Sequence, residues 1–371
     1  MGSDSTGEST AQAESGSESA PPTEPTDKGA HMLVRRRFRF GPRVRRWLGR
    51  ALWVGLGGGL TLVLQFVAPL FIGPTLPPLA DPLRPTGGFA EPLPGDVSVV
   101  SNLIYVNRAE ADGGSLRLDL YLPPGEPPTS AGWPAMIGLH GGTFIHGNKG
   151  EYAFVARDLA QHGVAVASIQ YRLYPAHRWP APVDDAVEAL RWLREHASDH
   201  RLDRARLGAI GRSSGAYLAL MLALQDPVLQ VVVSEAGPTD LSPYLWDGDV
   251  RGWLLEGFFD ATRDDGTVDA ARIEAASPTE QVRADSTIRA LLFHGSIDRT
   301  VPFAQSRLFE AALQRHGHPV RLVPYPQTGH DPFNVHWSDH ARWEVLAFLE
   351  SAGWRATAAV DPQQPSDSDH R

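Results

Sequence analysis

Residues 207–224 read Leu207-Gly208-Ala209-Ile210-Gly211-Arg212-Ser213-Ser214-Gly215-Ala216-Tyr217-Leu218-Ala219-Leu220-Met221-Leu222-Ala223-Leu224. A short apolar run that suits a buried strand meets, without a spacer, an apolar run from Ala216 to Leu224 that suits a helix. The junction is a Gly-x-Ser-x-Gly. A strand that reverses into a helix so tightly forces its central residue into a strained backbone conformation, and only small residues two positions before and after it pass without collision. Gly211 and Gly215 fill those positions, so Ser213 is expected to lift its hydroxyl above the edge of a sheet as a nucleophile. The five-residue motif alone arises by chance in glycine-rich chains; the strand before it and the helix after it give it meaning.

Working outward, strand-like and helix-like segments alternate. Leu116, Leu118, Leu120 and Leu122 alternate with Arg117, Asp119 and Tyr121, the period of a half-buried strand. Continuous apolar runs follow at Ala135 to Leu139, Val164 to Ile169, Leu229 to Val233 and Ala290 to Phe293, as parallel strands covered on both faces require. Val183, Ala186, Val187, Leu190 and Leu193 recur at helical spacing, and a second helix is expected from Ala304 to His316. This rhythm predicts an α/β fold, an open and mostly parallel sheet with helices on both faces.

A serine hydroxyl needs a base, and the base needs an orienting acid. His294-Gly295-Ser296-Ile297-Asp298 follows one strand and Gln327-Thr328-Gly329-His330 follows the strand-like Val320 to Tyr325, which places Asp298 and His330 in loops at the sheet edge that Ser213 occupies. The order Ser, Asp, His suits a triad on such a sheet. Asp331 and Asp339 stand too near His330 in sequence to come from the preceding strand loop, and His336 and His340 fall with a final amphipathic helix. His140-Gly141-Gly142-Thr143-Phe144 ends another strand. Backbone N–H groups of Gly142 and Thr143, with Ser214 and with Gly141 sharing the role, are the expected donors to a developing oxyanion. His140 reads as the residue that orients this loop. Pro243 to Thr279, with Tyr244, Trp246, Trp253, Leu254, Leu255, Phe258 and Phe259, reads as a helical cap lined with aromatics and suited to an apolar acyl or aryl group. A packed helical hairpin is the other reading of that segment. The chain has no cysteine, which excludes disulfides, thiolate nucleophiles and Cys-based metal sites. No metal-ligand spacing stands out and the chemistry calls for no cofactor.

These pieces together resemble the α/β-hydrolase fold-3 group, the hormone-sensitive-lipase-like and feruloyl-esterase/kynurenine-formamidase-like esterases. The resemblance rests on His140 to Phe144, Tyr171-Arg172-Leu173-Tyr174-Pro175, Pro180-Ala181-Pro182-Val183-Asp184-Asp185, Gly211 to Gly215, and Asp298 with Val301-Pro302. Thr143 stands where lipase-like members carry a third glycine, and Arg212, Ser214 and Ala216 stand where Glu or Asp, Ala and Gly are frequent. The resemblance implies an eight-stranded sheet, a small helical cap and hydrolysis of a small-molecule ester; an amide-cleaving relative, or a non-catalytic adhesion module on the same fold, are the alternatives.

The flanks differ in kind. Residues 1–31 are rich in Ser, Thr, Glu, Pro and Gly and are expected to be disordered. Residues 32–50 carry eight arginines and no acid, and residues 51–72 carry no charge. A helix over those 22 residues spans about 33 Å, enough for a hydrocarbon core of about 30 Å. One transmembrane helix is therefore expected, with the arginines cytoplasmic and the following domain outside; a cleaved signal peptide is the other reading. A Pro-rich linker over 73–94, a catalytic domain over 95–354 with its cap at about 243–279, and a disordered tail over 355–371 complete the plan. The formal net charge of −9 is not gathered in one block, so no nucleic-acid partner is expected.

Overall fold

The computed structural model describes residues 91–109, 114–242, 246, 252–330 and 339–354. The chain divides into two units, Met1–Pro78 and Leu79–Arg371, and the described residues belong to the second. The expected tail at 1–31, arginine segment, membrane helix at 51–72, nearly all of the linker and the tail at 355–371 lie outside the described residues. So do Tyr244, Asp331 and His336. Among the described residues no helix is long and apolar enough to cross a membrane.

Among the described residues eight strands and seven α-helices follow one another: β1 (Ser98–Val106), β2 (Leu116–Leu122), β3 (Trp133–Leu139), α1 (Ala153–Gln161), β4 (Ala165–Ile169), α2 (Ala181–Glu195), β5 (Leu202–Arg212), α3 (Ser214–Gln225), β6 (Leu229–Glu235), α4 (Ala270–Ala276), α5 (Pro278–Gln281), β7 (Arg289–Gly295), α6 (Ala304–Arg315), β8 (Val320–Tyr325) and α7 (Asp339–Ser351). They form one sheet in the order β1-β2-β4-β3-β5-β6-β7-β8. β1 and β2 are antiparallel to their neighbours, and the strands from β4 to β8 run parallel.

The apolar runs become strands because each side of the sheet has a partner layer. Every residue of β3 is buried. Leu118, Leu120, Ile137, Leu139 and Ala209 pack with Val183, Leu190 and Leu193 of α2 and with Tyr217 and Leu218 of α3. On the other face Met136, Val166, Ile210, Val231 and Phe293 pack with Val155 and Leu159 of α1 and with Val345, Phe348 and Leu349 of α7. α3 is buried along nearly its whole length, as its unbroken apolar sequence demands.

The half-buried alternation expected of β2 does not hold, since Asp119 and Tyr121 are also buried. Asp119 is tolerated there because Lys149 Nζ lies 2.8 Å from its Oδ2 and the Asn102 N–H donates to its Oδ1 at 2.7 Å. Two aromatics of the expected cap segment are packed away from solvent. Phe258 and Phe259 are fully buried with Phe144, whose ring stacks on Phe258 with centroids 4.0 Å apart and meets Tyr217 edge-on. These two phenylalanines belong to the packed core.

Candidate active site

The parallel strands end at one edge, and Ser213, Asp298 and His330 stand there. β5 passes into α3 at Ser213, whose φ of 52° and ψ of −121° are a strained pair for a residue with a side chain. The crossing is as close as the motif predicts. A Cβ on Gly211 would come within 2.3 Å of the Gly215 carbonyl oxygen, and one on Gly215 within 2.2 Å of the Leu139 carbonyl oxygen. Glycine is required at both by contact with backbone that has no room to move.

β7 and β8 deliver the other two groups through loops stitched together by backbone. Ser296 N–H donates to the Tyr325 carbonyl at 2.9 Å, Ile297 N–H to the Thr328 carbonyl at 3.1 Å, and Gln327 N–H to Ser296 Oγ at 3.0 Å. The result is a continuous path. His330 Nε2 lies 2.9 Å from Ser213 Oγ and His330 Nδ1 lies 2.7 Å from Asp298 Oδ2. Both separations are hydrogen-bond lengths. Because a carboxylate accepts only, Nδ1 carries the hydrogen there and Nε2 is free to accept from the serine.

Asp298 is held by more than His330. Its Oδ1 accepts the N–H groups of Thr300 at 2.8 Å and Val301 at 3.0 Å, and its Oδ2 has His294 Nε2 at 3.2 Å. Burial alone pushes this carboxyl up; the hydrogen bonds from His294 and His330, the electrostatic pull of His330 and the Val301 N–H outweigh it and hold the group well below the usual carboxylate range. It stays ionised.

After β3 the chain bends back through three residues of positive φ, Gly142 at 119°, Thr143 at 54° and Phe144 at 61°. Ile145 N–H and His146 N–H close the turn on the Gly142 carbonyl. His140 is buried below it. Its Nδ1 donates to the Gly141 carbonyl at 2.7 Å, and its ring stacks on Tyr171, whose hydroxyl donates to the His140 carbonyl at 2.7 Å. Burial pushes the imidazole of His140 down, against the charged form. This buttress accords with an orienting part for His140. Gly141 backs directly on the elbow, where a Cβ would lie 3.5 Å from Ser213 Cβ. Thr143, Phe144, Ser213, Ser214, Pro238, Trp246, Leu254, Thr300 and Val301 line a small, mostly apolar cavity of about 30 Å³ at this point.

His340 does not join the path. It is exposed on α7, with Tyr325 Oη 3.4 Å and Glu344 3.6 Å away. His294, to which the sequence assigns no part, does reach the site. The available signal is its position as a histidine before a glycine at a strand end, as in His140-Gly141.

An eight-stranded, mostly parallel sheet that brings a serine on a strand-to-helix turn, a histidine and a buried aspartate to one edge is the arrangement of the α/β-hydrolases. Residues 118–313 match the model of the BD-FAE family. The chain belongs to that family, of the α/β-hydrolase fold-3 type, and is a carboxylic ester hydrolase. It is 31% identical over 251 residues to an ethyl acetate hydrolase of Pseudomonas putida, covering 62% of this chain and 75% of that protein. It is 30% identical over 237 residues to the esterase LipQ of Mycobacterium tuberculosis, covering 59% of this chain and about half, 55%, of the relative. Among solved structures it resembles the propionate-bound esterase 2 of Thermogutta terrifontis, with 26% identity and a TM-score of 0.57 over 71% of this chain and 97% of that one. An acetyl ester-xyloside bifunctional hydrolase from Caldicellulosiruptor lactoaceticus shares the fold at 23% identity and a TM-score of 0.59, over 69% of this chain and 97% of that one.

Proposed function

We propose that the chain hydrolyses small carboxylic esters of short acyl chains through an acyl-enzyme on Ser213, with His330 as the base and Asp298 as its orienting acid. The observation that carries this reading is the unbroken hydrogen-bonded path from Ser213 Oγ through His330 to Asp298. In the first half-reaction Ser213 Oγ bonds to the ester carbonyl carbon as its proton passes to His330 Nε2. The carbonyl oxygen takes the electron pair and becomes an oxyanion. N–H groups of Gly142, Thr143 and Ser214, with Gly141 beside them, are assigned to hold it, and losing one such donor costs about 100- to 1000-fold in rate. Collapse breaks the bond to the alkoxy oxygen, which leaves as the alcohol with the proton from Nε2. Water then repeats the sequence on the acyl-enzyme, its proton going to Nε2 and back to Ser213 Oγ, releasing the acid. Asp298, ionised throughout, keeps the Nδ1 hydrogen in place and stabilises the imidazolium between transfers.

The acyl preference is argued from space. Among the described residues, the cavity of about 30 Å³ beside Ser213 has room for roughly two water-sized groups, the size of an acetyl or propionyl tail. Trp246 and Leu254, both buried, are among the residues that line it. The P. putida relative is named for an acetate ester, in keeping with this size. The aromatic residues of the cap suggest an aryl or larger apolar group, but the rings of Phe258 and Phe259 are spent on the core. A p-nitrophenyl ester series tests the reading: kcat/KM is expected to be highest at acetate or propionate and to fall at least about tenfold by hexanoate, the scale of a group that no longer fits its pocket. Ser213→Ala abolishes turnover of all of them. A maximum at octanoate contradicts the acyl assignment, and undiminished turnover in Ser213→Ala contradicts the nucleophile.

We also infer from residues 32–72 that the domain is carried on a membrane by a single helix, with the arginines on the cytoplasmic side.

A further inference from the structure

His294 is a buried histidine that the proton path leaves out. It stands in β7, one residue before the strand's end, with no exposed surface. Its Nε2 faces two acceptors, the Val301 carbonyl oxygen at 2.9 Å and Asp298 Oδ2 at 3.2 Å. Neither can donate, so Nε2 carries a hydrogen. Nδ1 lies 2.7 Å from Ser306 Oγ on α6, itself buried, which completes the ring's hydrogen bonds. Phe303 meets the ring in a T-shaped contact, with centroids 5.6 Å apart. Among the described residues the titratable groups against Asp298 are thus His294 from β7 and His330 from the loop after β8, joined by the N–H groups of Thr300 and Val301 from its own loop.

The two histidines meet one oxygen. Oδ2 takes His330 Nδ1 at 2.7 Å and His294 Nε2 at 3.2 Å, while Oδ1 is occupied by backbone. A second N–H dipole on that oxygen stabilises its charge and so weakens its hold on the first proton.

We propose that His294 is a positioning residue for the reaction: it ties the 298–301 turn to β7 and α6, fixes the Asp298 carboxylate in the direction of His330, and sets how strongly that carboxylate holds the Nδ1 proton. This rests on the Ser213, His330 and Asp298 reading above. A residue that merely fills space in β7 would leave the pH profile alone. One that shares Oδ2 would not, because without its N–H the carboxylate pulls harder on His330 and the imidazole stays protonated to higher pH.

Three variants test it with p-nitrophenyl acetate: His294→Leu, which removes the donor, His294→Gln, which returns an N–H near the place of Nε2, and Ser306→Ala, which releases Nδ1. For His294→Leu kcat is expected to fall about 10- to 100-fold, the scale of losing a hydrogen bond to a charged group, with KM close to wild type. The acid limb of its kcat/KM profile moves up by about half a pH unit or more. His294→Gln restores most of the rate and returns the limb, and Ser306→Ala falls between. A folded His294→Leu whose acid limb stays at the wild-type pH overturns the proposal, as does a Gln variant no better than Leu. If His294→Leu does not fold, Ser306→Ala decides: a displaced limb supports the proposal, and a wild-type profile overturns it. An inactive wild-type enzyme, or an active Ser213→Ala, would instead sink the underlying triad reading.

Discussion

Ser213 sits at a φ of 52°, in a region that costs a residue with a side chain on the order of 1–3 kcal/mol, and it stays there because Gly211 and Gly215 let β5, β3 and α3 close on it. That residue is legible in the sequence alone, since the glycines, the apolar run before and the apolar run after each say the same thing. Asp298 and His330 are legible from their places after strands. His294 is not, because a histidine inside an apolar strand reads as packing, and its contact with Asp298 exists only once the turn folds back. At this scale Asp298 carries a pH prediction. Its folded-state carboxyl lies below the ordinary value of about 3.9. The stability it contributes is therefore present above that value and is lost as pH falls below about 4 toward the depressed one. The melting-temperature gap between wild type and Asp298→Asn should be widest near neutral pH and shrink in acid, while the variant loses about 10⁴-fold in kcat through the wrong imidazole tautomer. A gap that stays constant into acid would show that the carboxylate charge is not what the site stabilises.

Among the elements, the strands that can be read are those buried on both faces. β1 escapes notice because Ser98–Val106 is an edge strand of mixed burial whose pairing with β2 shifts register twice, which leaves no clean period in the sequence. α1 escapes too. Ala153–Gln161 is short, and its first residue follows Tyr152 with no side-chain cap. The stretch from Tyr171 to Asp185 is recognisable as a block, but its physics is an ion-pair staple that no spacing announces. Asp185 on α2 is fully buried; it accepts from the Arg172 N–H at 2.8 Å and from Arg172 Nε at 3.0 Å, and Arg108 lies 3.0 Å away. Asp185→Ala leaves two guanidinium groups beside a buried void and is expected to destabilise the fold by about 3 kcal/mol or more in chemical denaturation. A loss below about 1 kcal/mol, the scale of an exposed pair, would mean that solvent reaches this cluster.

Over the whole molecule, the inferred task of the charge-free residues 51–72 and the arginines before them is to hold the hydrolase at a membrane. The full chain should stay in the membrane fraction after a carbonate wash, and release into the supernatant would remove the anchor from the account. The ester hydrolase itself stands or falls on three side chains, contributed after β5, β7 and β8, acting together at one sheet edge. A fluorophosphonate reacts with a serine only where a neighbouring base has made it nucleophilic. Incubated with such a probe, the protein is expected to gain one phosphonyl group per chain, located by mass spectrometry on Ser213, and His330→Ala and Ser213→Ala are expected to gain none. A wild-type chain that stays unlabelled while folded, or a label that persists on another residue in Ser213→Ala, would contradict the account.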